Sequence, residues 1–496
     1  MLVTYVRKPA QTRMTDAPFA ASLTAWPDAP WIAPSPRVGV PGAMGSRAAT
    51  RRERAAALTR SRARRAPGAD SLRPVDHVMS HLFFFLFVAQ IFSPLFGGVT
   101  LYLEVVVAVL HPRFVRWVWN LKPAPYPLAI TVVTAAVLSV HSLSNLVKVA
   151  ALIISVLYLV FAHRSGLFHL YRWITVSVAL AVVQWTLVTI GTAGSRELAR
   201  TLGPKALSEA VWGEHATQTF TNFYAVIGDS VRVSGLSREG GFFASLLVGT
   251  LMVIYLDPRS RYRTRHALTA GLGIMLSLSK TTFVLPGLYL LVRARRLINH
   301  IPSGLAVLAF FAVSAGWAVT NESTLVEQGN RSFLHRFGAY TVVSQMDPGQ
   351  LLWGEGSISA YSGDVATTAG VRFEEFAGTG GFLLAHGIVG VALWLLAVHA
   401  LGGSTTSVVY ILGATVAVSP TTNQNFVVLA YFAALYLLPR FDVEQALAAV
   451  ERKARDDART GPRRGRRLAL AAGGAGGAGR RGRAGAPAST HRVGHG

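Results

Sequence analysis

The chain has 496 residues, 51% of them hydrophobic and 15% charged, with 48 Lys+Arg against 24 Asp+Glu and no cysteine. Soluble domains carry about 25% charged residues, so the composition argues against a soluble enzyme, and the missing thiols exclude disulfides, thiolate catalysis, iron–sulfur clusters and cysteine zinc sites. The net charge of +24 gathers at the ends: residues 1–75 hold 13 Lys+Arg against 4 Asp+Glu, and residues 441–496 hold 12 against 5, together 16 of the 24.

Residues 1–75 are rich in Ala, Arg and Pro without a persistent apolar stripe, and read as a disordered basic tail. Met14, Met44 and Met79 offer alternative starts within or just after it. Residues 441–496 read as a second disordered tail, with Arg clusters around a Gly/Ala run, suited to an anionic membrane surface. The C-terminal tail has no aromatics interleaved with its arginines and no folded motif, so nucleic acid is not the expected partner.

Between the tails lie apolar segments at 79–94, 97–111, 125–141, 144–162, 170–190, 241–257, 267–279, 281–293, 302–320, 379–401, 406–420 and 425–439. The expected fold class is therefore an all-α polytopic integral membrane protein, with about 10–12 transmembrane helices over residues 76–440. The regions 79–111, broken at Gly97-Gly98, and 267–293, broken at Ser279-Lys280, suit either a helical hairpin or one kinked span. With the N-terminus inside, the basic connections at 111–122, 163–172, 259–266 and 293–296 and the C-terminal tail all fall on the cytoplasmic side. Two long loops, 191–240 and 321–378, then face outward.

The first loop opens with a mixed-charge stretch read as one amphipathic surface helix and ends with Arg232, Arg238 and Glu239 at the lip of the apolar run from Phe242. Guanidiniums there suit phosphate, because they stay charged and bind its oxygens bidentately; interfacial snorkelling and a local Arg–Glu pair is the plainer reading. Gly228-Asp-Ser is not preceded by an expected strand and lacks the flanking glycine of a nucleophile elbow. Lys280, between two apolar runs near the outer face, suits an anionic ligand or simply the headgroups.

In the second loop Phe333, Phe337, Tyr340, Val343 and Met346 follow a helical stripe whose start carries Arg331, His335 and Arg336. Gly354 and Gly356 allow a turn or a close approach to a ligand. Glu374 and Glu375 end the loop, and His386 enters the next span as either a packed histidine or a proton shuttle. The sequence contains no Walker A or HExxH motif, and neither outward loop holds a DxD, so no metal or other cofactor is expected.

Taken in order, Arg232-Val-Ser-Gly235 with Glu239, Ser279-Lys280, Arg336 with Gly354-Glu-Gly356, and Gly387-Ile-Val-Gly390 resemble the O-antigen ligase and polymerase superfamily of bacterial membrane glycosyltransferases, across roughly residues 80–440. The resemblance implies metal-free transfer of a glycan from a polyprenyl diphosphate donor to a sugar hydroxyl, on the outer face of the bacterial plasma membrane. Its partners would be that donor, a glycan acceptor, membrane lipids and other polysaccharide-assembly proteins. Carried onto this chain, Arg232 and Arg336 would stabilise the leaving diphosphate and Glu239 would take the acceptor's proton. Arg238, Lys280, Arg331, Gly354, Gly356, Glu374, Glu375 and His386 would form the substrate-binding surround. Many ligase-like members carry a His-Asn pair where this chain has Phe376-Ala-Gly-Thr, which favours a polymerase over a ligase. The competing reading is a transporter or flippase of lipid-linked glycans; a structural membrane scaffold is a third.

Overall fold

In the computed structural model, described residues run from 72 to 441, except 97–98, 140–142, 217–224, 228–229, 258–261, 322, 324–330, 344–345, 355–375, 377, 417, 419 and 421–423. Residues 1–71 and 442–496, which make up most of both tails, and Gly356, Glu374 and Glu375 lie outside them.

The described chain is mostly helical. Helix α1, Pro74–Val88, starts with Pro at its first position and Asp76 accepting from the Arg73 backbone N–H at 3.0 Å. A short turn and the hairpin β1 (Leu95–Phe96) with β2 (Val99–Thr100) lead back into α2, Leu103–Leu110. The 79–111 region is thus a helical hairpin and not a kinked span, since Asp76 and His111 meet at its open end.

The connection after it contains a short amphipathic helix, α3 (Pro112–Trp119), which buries Phe114. Three apolar helices follow: α4 (Pro125–Ser139), α5 (Leu143–Ser165) and α6 (Leu170–Ile190). Gly191, at φ +76°, ends α6 in the left-handed conformation that glycine adopts without strain.

The expected single surface helix is two, α7 (Ala193–Thr201) and α8 (Pro204–Trp212). Pro204 has no N–H to continue the first, so it begins a second. The strands β3 (Ala225–Ile227) and β4 (Ser230–Val231) form a second hairpin. A strand therefore does precede Gly228-Asp-Ser, but it runs into a partner strand rather than a helix, so no nucleophile elbow results.

Helix α9, Gly240–Leu256, is buried along most of its length. Gly249 admits Leu429 and Phe426 against it, and Gly273 admits Leu247 and Val178, the close packing that small residues allow between apolar helices. Next come α10 (Arg263–Ser277), a 3-10 turn at Lys280–Phe283, α11 (Val284–Arg293), α12 (Arg295–Ile298) and α13 (Ser303–Thr320). In the 267–293 region α10 ends at Leu278, whose φ is +44°, before the 3-10 turn that leads into α11. On α13 only Ala318 is buried.

The last helices are α14 (Arg331–Val343), α15 (Pro348–Trp353), α16 (Gly378–Gly402, interrupted at Gly387), α17 (Thr405–Thr415) and α18 (Asn425–Phe432), the last continued by a π-helical turn over Ala433–Leu437. Among the described residues, four helical stretches are long and apolar enough to cross a membrane, by length and composition: Asn145–Ser165, Leu170–Ile190, Ser303–Thr320 and Gly378–Gly402. Five more apolar helices are shorter, among them Pro74–Val88 and Gly240–Leu256. Several expected spans are thus helices of 10–17 residues, shorter than the ~20 residues a straight span needs.

The basic connections meet at one end of this bundle. There His163 Nε2 lies 3.1 Å from Asp257, the Arg172 guanidinium 3.5 Å from His81, and Arg295 stacks over Phe441. At the opposite end the first long loop is tied to its neighbours: Trp212 Nε1 donates to Phe92 O at 2.9 Å, and the Val233 N–H to Leu276 O at 3.4 Å.

Candidate anion site at the long-loop end

The segment from β4 into α9 is fixed to α6 by buried hydrogen bonds. Gln184 accepts from the Gly235 N–H at 2.9 Å and donates to Gly235 O at 3.2 Å, while Ser177 Oγ accepts from the Leu236 N–H at 3.0 Å. Gly235 has φ +54°, and a Cβ there would strike the Ser177 carbonyl and hydroxyl. The glycine of Arg-x-x-Gly is therefore required by the backbone, and it holds Arg232 and Glu239 at either end of a rigid turn.

Glu239 is the extended residue that precedes α9. A Cβ on Gly240 would collide with the Arg232 side chain; one on Gly241 would lie 2.9 Å from Glu239 Oε1 and 3.0 Å from Arg232 Nη2. The two glycines thus leave the room in which the Arg232 guanidinium and the Glu239 carboxyl lie side by side, across the first turn of α9.

Arg336 joins them from the second long loop. Burial pushes its pKa down, and the negative charge of Glu239 pushes it back up, so the two side chains stand within electrostatic reach. Its helix, α14, is seated on the start of α16. Tyr340 Oη and Thr379 Oγ1 are 2.7 Å apart, Gly338 faces the Phe376 ring, and Phe337 packs on Trp317 with ring centroids 4.7 Å apart. Of the expected stripe Tyr340 is buried and Phe337, Val343 and Met346 are half-buried, while Gly338, Ala339, Thr341 and Val342, outside the stripe, are buried as well.

Other expected residues separate from this group. Arg238 turns away toward the first hairpin, with Nη2 3.5 Å from Thr100 Oγ1 and the charge of Glu104 and the Tyr102 hydroxyl nearby; burial lowers its pKa and those two neighbours raise it. Lys280 is exposed at the same end of the bundle, where Ser279 Oγ caps its turn by accepting from Thr281 N. Arg331 opens α14, with its side chain outside the described residues. Gly354 meets α16 directly: a Cβ on it would strike Ala385 O and His386 N, and one on Gly387 would strike Leu352 O and Gly354 N. His386 is buried, its Cβ accommodated by Gly390 and its ring 4.7 Å from that of Phe382.

Charges that the sequence reading passed over are buried as well. His111 bridges Asp76 Oδ1 at 3.2 Å and Tyr158 Oη at 3.0 Å, and Arg113 lies 3.3 Å from the same carboxylate. His163 bridges Asp257 and Tyr436 in the same way, at 3.1 and 3.4 Å. Glu104 is fully buried, and Lys148 is partly so. Each stood in or beside an apolar run, and an ionisable residue in such a run is the signal that would have found it.

Arg232, Glu239 and Arg336 together can hold an oxyanion on two guanidiniums and accept a proton on the carboxylate. No family model, curated protein or solved structure matches this chain.

Proposed function

We propose that the chain is a polytopic protein of the bacterial plasma membrane, with its long loops outward, that transfers a glycan from a polyprenyl diphosphate donor to a sugar hydroxyl during cell-surface polysaccharide synthesis. In the reaction the bond from the donor sugar's anomeric carbon to the phosphate oxygen breaks, and the polyprenyl diphosphate leaves with the electron pair. The acceptor oxygen bonds to that carbon and yields its proton to Glu239. Arg232 and Arg336 neutralise the charge that grows on the leaving phosphate, in the place a metal takes in other transferases.

The observation that carries this reading is the convergence of Arg232, Glu239 and Arg336 from two loops about a hundred residues apart in sequence. A carboxylate between two guanidiniums, at the start of an apolar helix, suits a lipid diphosphate at headgroup depth. Flipping of lipid-linked glycans would require the basic end to open. The buried Asp76–His111–Tyr158 and Asp257–His163–Tyr436 bridges tie that end together, which favours the enzyme.

The test uses purified full-length protein, a lipid-linked oligosaccharide and a chelator, with product length read on a gel. Polymer should form with chelator present. A requirement for added divalent metal would overturn the metal-free mechanism, and full activity in Glu239→Gln would remove that residue from the chemistry.

A further inference from the structure

Two charges close to the candidate site take no part in the chemistry above, and they face each other. Glu104 lies in the first turn of α2 and is fully buried, at the head of an apolar run. A carboxylate there is costly unless a cation comes to it. Arg238 arrives from the first long loop. Its Nη2 stands 3.5 Å from Thr100 Oγ1, at the end of β2, and its charge is within reach of Glu104 and of the Tyr102 hydroxyl. The turn that carries Arg238 is seated on the same part of the chain, with Leu236 in one buried cluster with Ala89 and Ile91.

Arg238 is also the residue before Glu239. Glu239 is almost fully extended, at φ −160° and ψ 169°, so the side chains of 238 and 239 leave opposite sides of the chain. Fixing one fixes the other. The two residues after Glu239 are glycines, which restrain the backbone least, so its aim is set mainly from the N-terminal side. There Gln184 and Ser177 hold residues 235 and 236, and Arg238 extends that hold to the residue next to the carboxylate.

We propose that Glu104 is a positioning residue: by holding Arg238 against the first hairpin, it turns Glu239 toward Arg232 and Arg336. Arg238 is then an anchor and not a ligand of the substrate phosphate. The role of Glu239 as proton acceptor rests on the glycan-transfer reading; its aim at the two arginines does not.

The test measures thermal unfolding of the purified full-length protein in detergent, with Glu239→Gln and Arg336→Gln made singly and together. Each removes the other's partner, so in the wild-type background the double shift in midpoint should be smaller than the sum of the single ones. In a Glu104→Gln background, which keeps the shape and removes the charge, that shortfall should vanish. Arg238→Gln should have the same effect, and it takes the place of Glu104→Gln if that variant does not fold. Glu104→Asp, which keeps the charge, should keep most of the shortfall. A purely structural Glu104 would lower every midpoint and leave the shortfall intact. That result, or additive shifts in the wild type, would overturn the proposal. Activity on a lipid-linked oligosaccharide separates it from the enzyme reading. Where the wild type transfers glycan, Glu104→Gln should lower kcat about 100-fold, the cost of about an ångström of misplacement, with KM nearly unchanged. If the shortfall is present in the wild type and lost with Glu104, yet no glycan is transferred, the enzyme reading falls and the positioning role stands.

Discussion

Gly354 and Gly387 meet backbone to backbone, the first at the end of α15 and the second at the break in α16. Gly387 has φ +62° and ψ −175°, a region that side chains other than glycine's do not tolerate. The two motifs that looked like separate glycine patterns are thus one contact, in which a loop helix plugs an interrupted apolar helix and covers its freed backbone. Gly354→Ala and Gly387→Ala should each lower stability by at least about 1–3 kcal/mol, read as a fall in the thermal midpoint in detergent. A midpoint unchanged in both would mean that the plug does not contribute to the fold.

Arg336 and Glu239 should prove energetically coupled although they lie on different loops. In a double-mutant cycle with Arg336→Gln and Glu239→Gln, the coupling should reach about 0.5–3 kcal/mol in unfolding free energy. On activity, Arg232→Lys and Arg336→Lys keep the charge but lose the planar fork, and transfer should drop about 100- to 1000-fold. Additive stabilities would place the two side chains out of reach of each other.

Acidification should loosen the basic end. Burial lowers the pKa of His111, against the opposing pull of Asp76, and burial together with His81, Arg172 and His77 lowers that of His169 to about 4. Both lie in connections between apolar helices. Unfolded histidine titrates near about 6.5, so between the two pKa values the unfolded chain binds more protons, and stability falls as pH drops. The thermal midpoint should decline from pH 7.5 to pH 5, with a shallower slope in His169→Gln. A flat wild-type profile would contradict the burial of these rings. Tyr158→Phe, which leaves a His111 nitrogen unsatisfied, should cost about 1–3 kcal/mol at any pH.

With no native cysteine, sidedness is open to direct labelling. Gln328→Cys should react with an impermeant maleimide in intact cells, and cysteines in 259–266 or 441–455 only after lysis. Reaction of Gln328→Cys only after lysis would invert the orientation. Removal of residues 1–70 or 456–496 should leave an inserted, active protein, since neither segment carries a core-forming pattern. A stable truncation without activity would assign that tail a role.

Local chemistry along the chain determined where helices begin, break and reverse. The apolar runs, the breaks at Gly97-Gly98 and Ser279-Lys280, and the grouping of basic connections at one end are all functions of nearest neighbours, which a sequence displays. The two-helix form of 193–212 was also legible in Pro204, though its mixed charge pointed to one helix. Tertiary structure alone decided which charges meet. Arg238 sits beside Arg232 in sequence yet faces Thr100 and Glu104, while Arg336, far off in sequence, comes within reach of Glu239. The Asp76–His111–Tyr158 bridge draws its members from three separate stretches of the chain. A buried charge is set by the partners that folding brings within a few ångströms, because only there is the desolvation offset. Those partners are distant in sequence, and periodicity records which face is apolar without recording what it will touch.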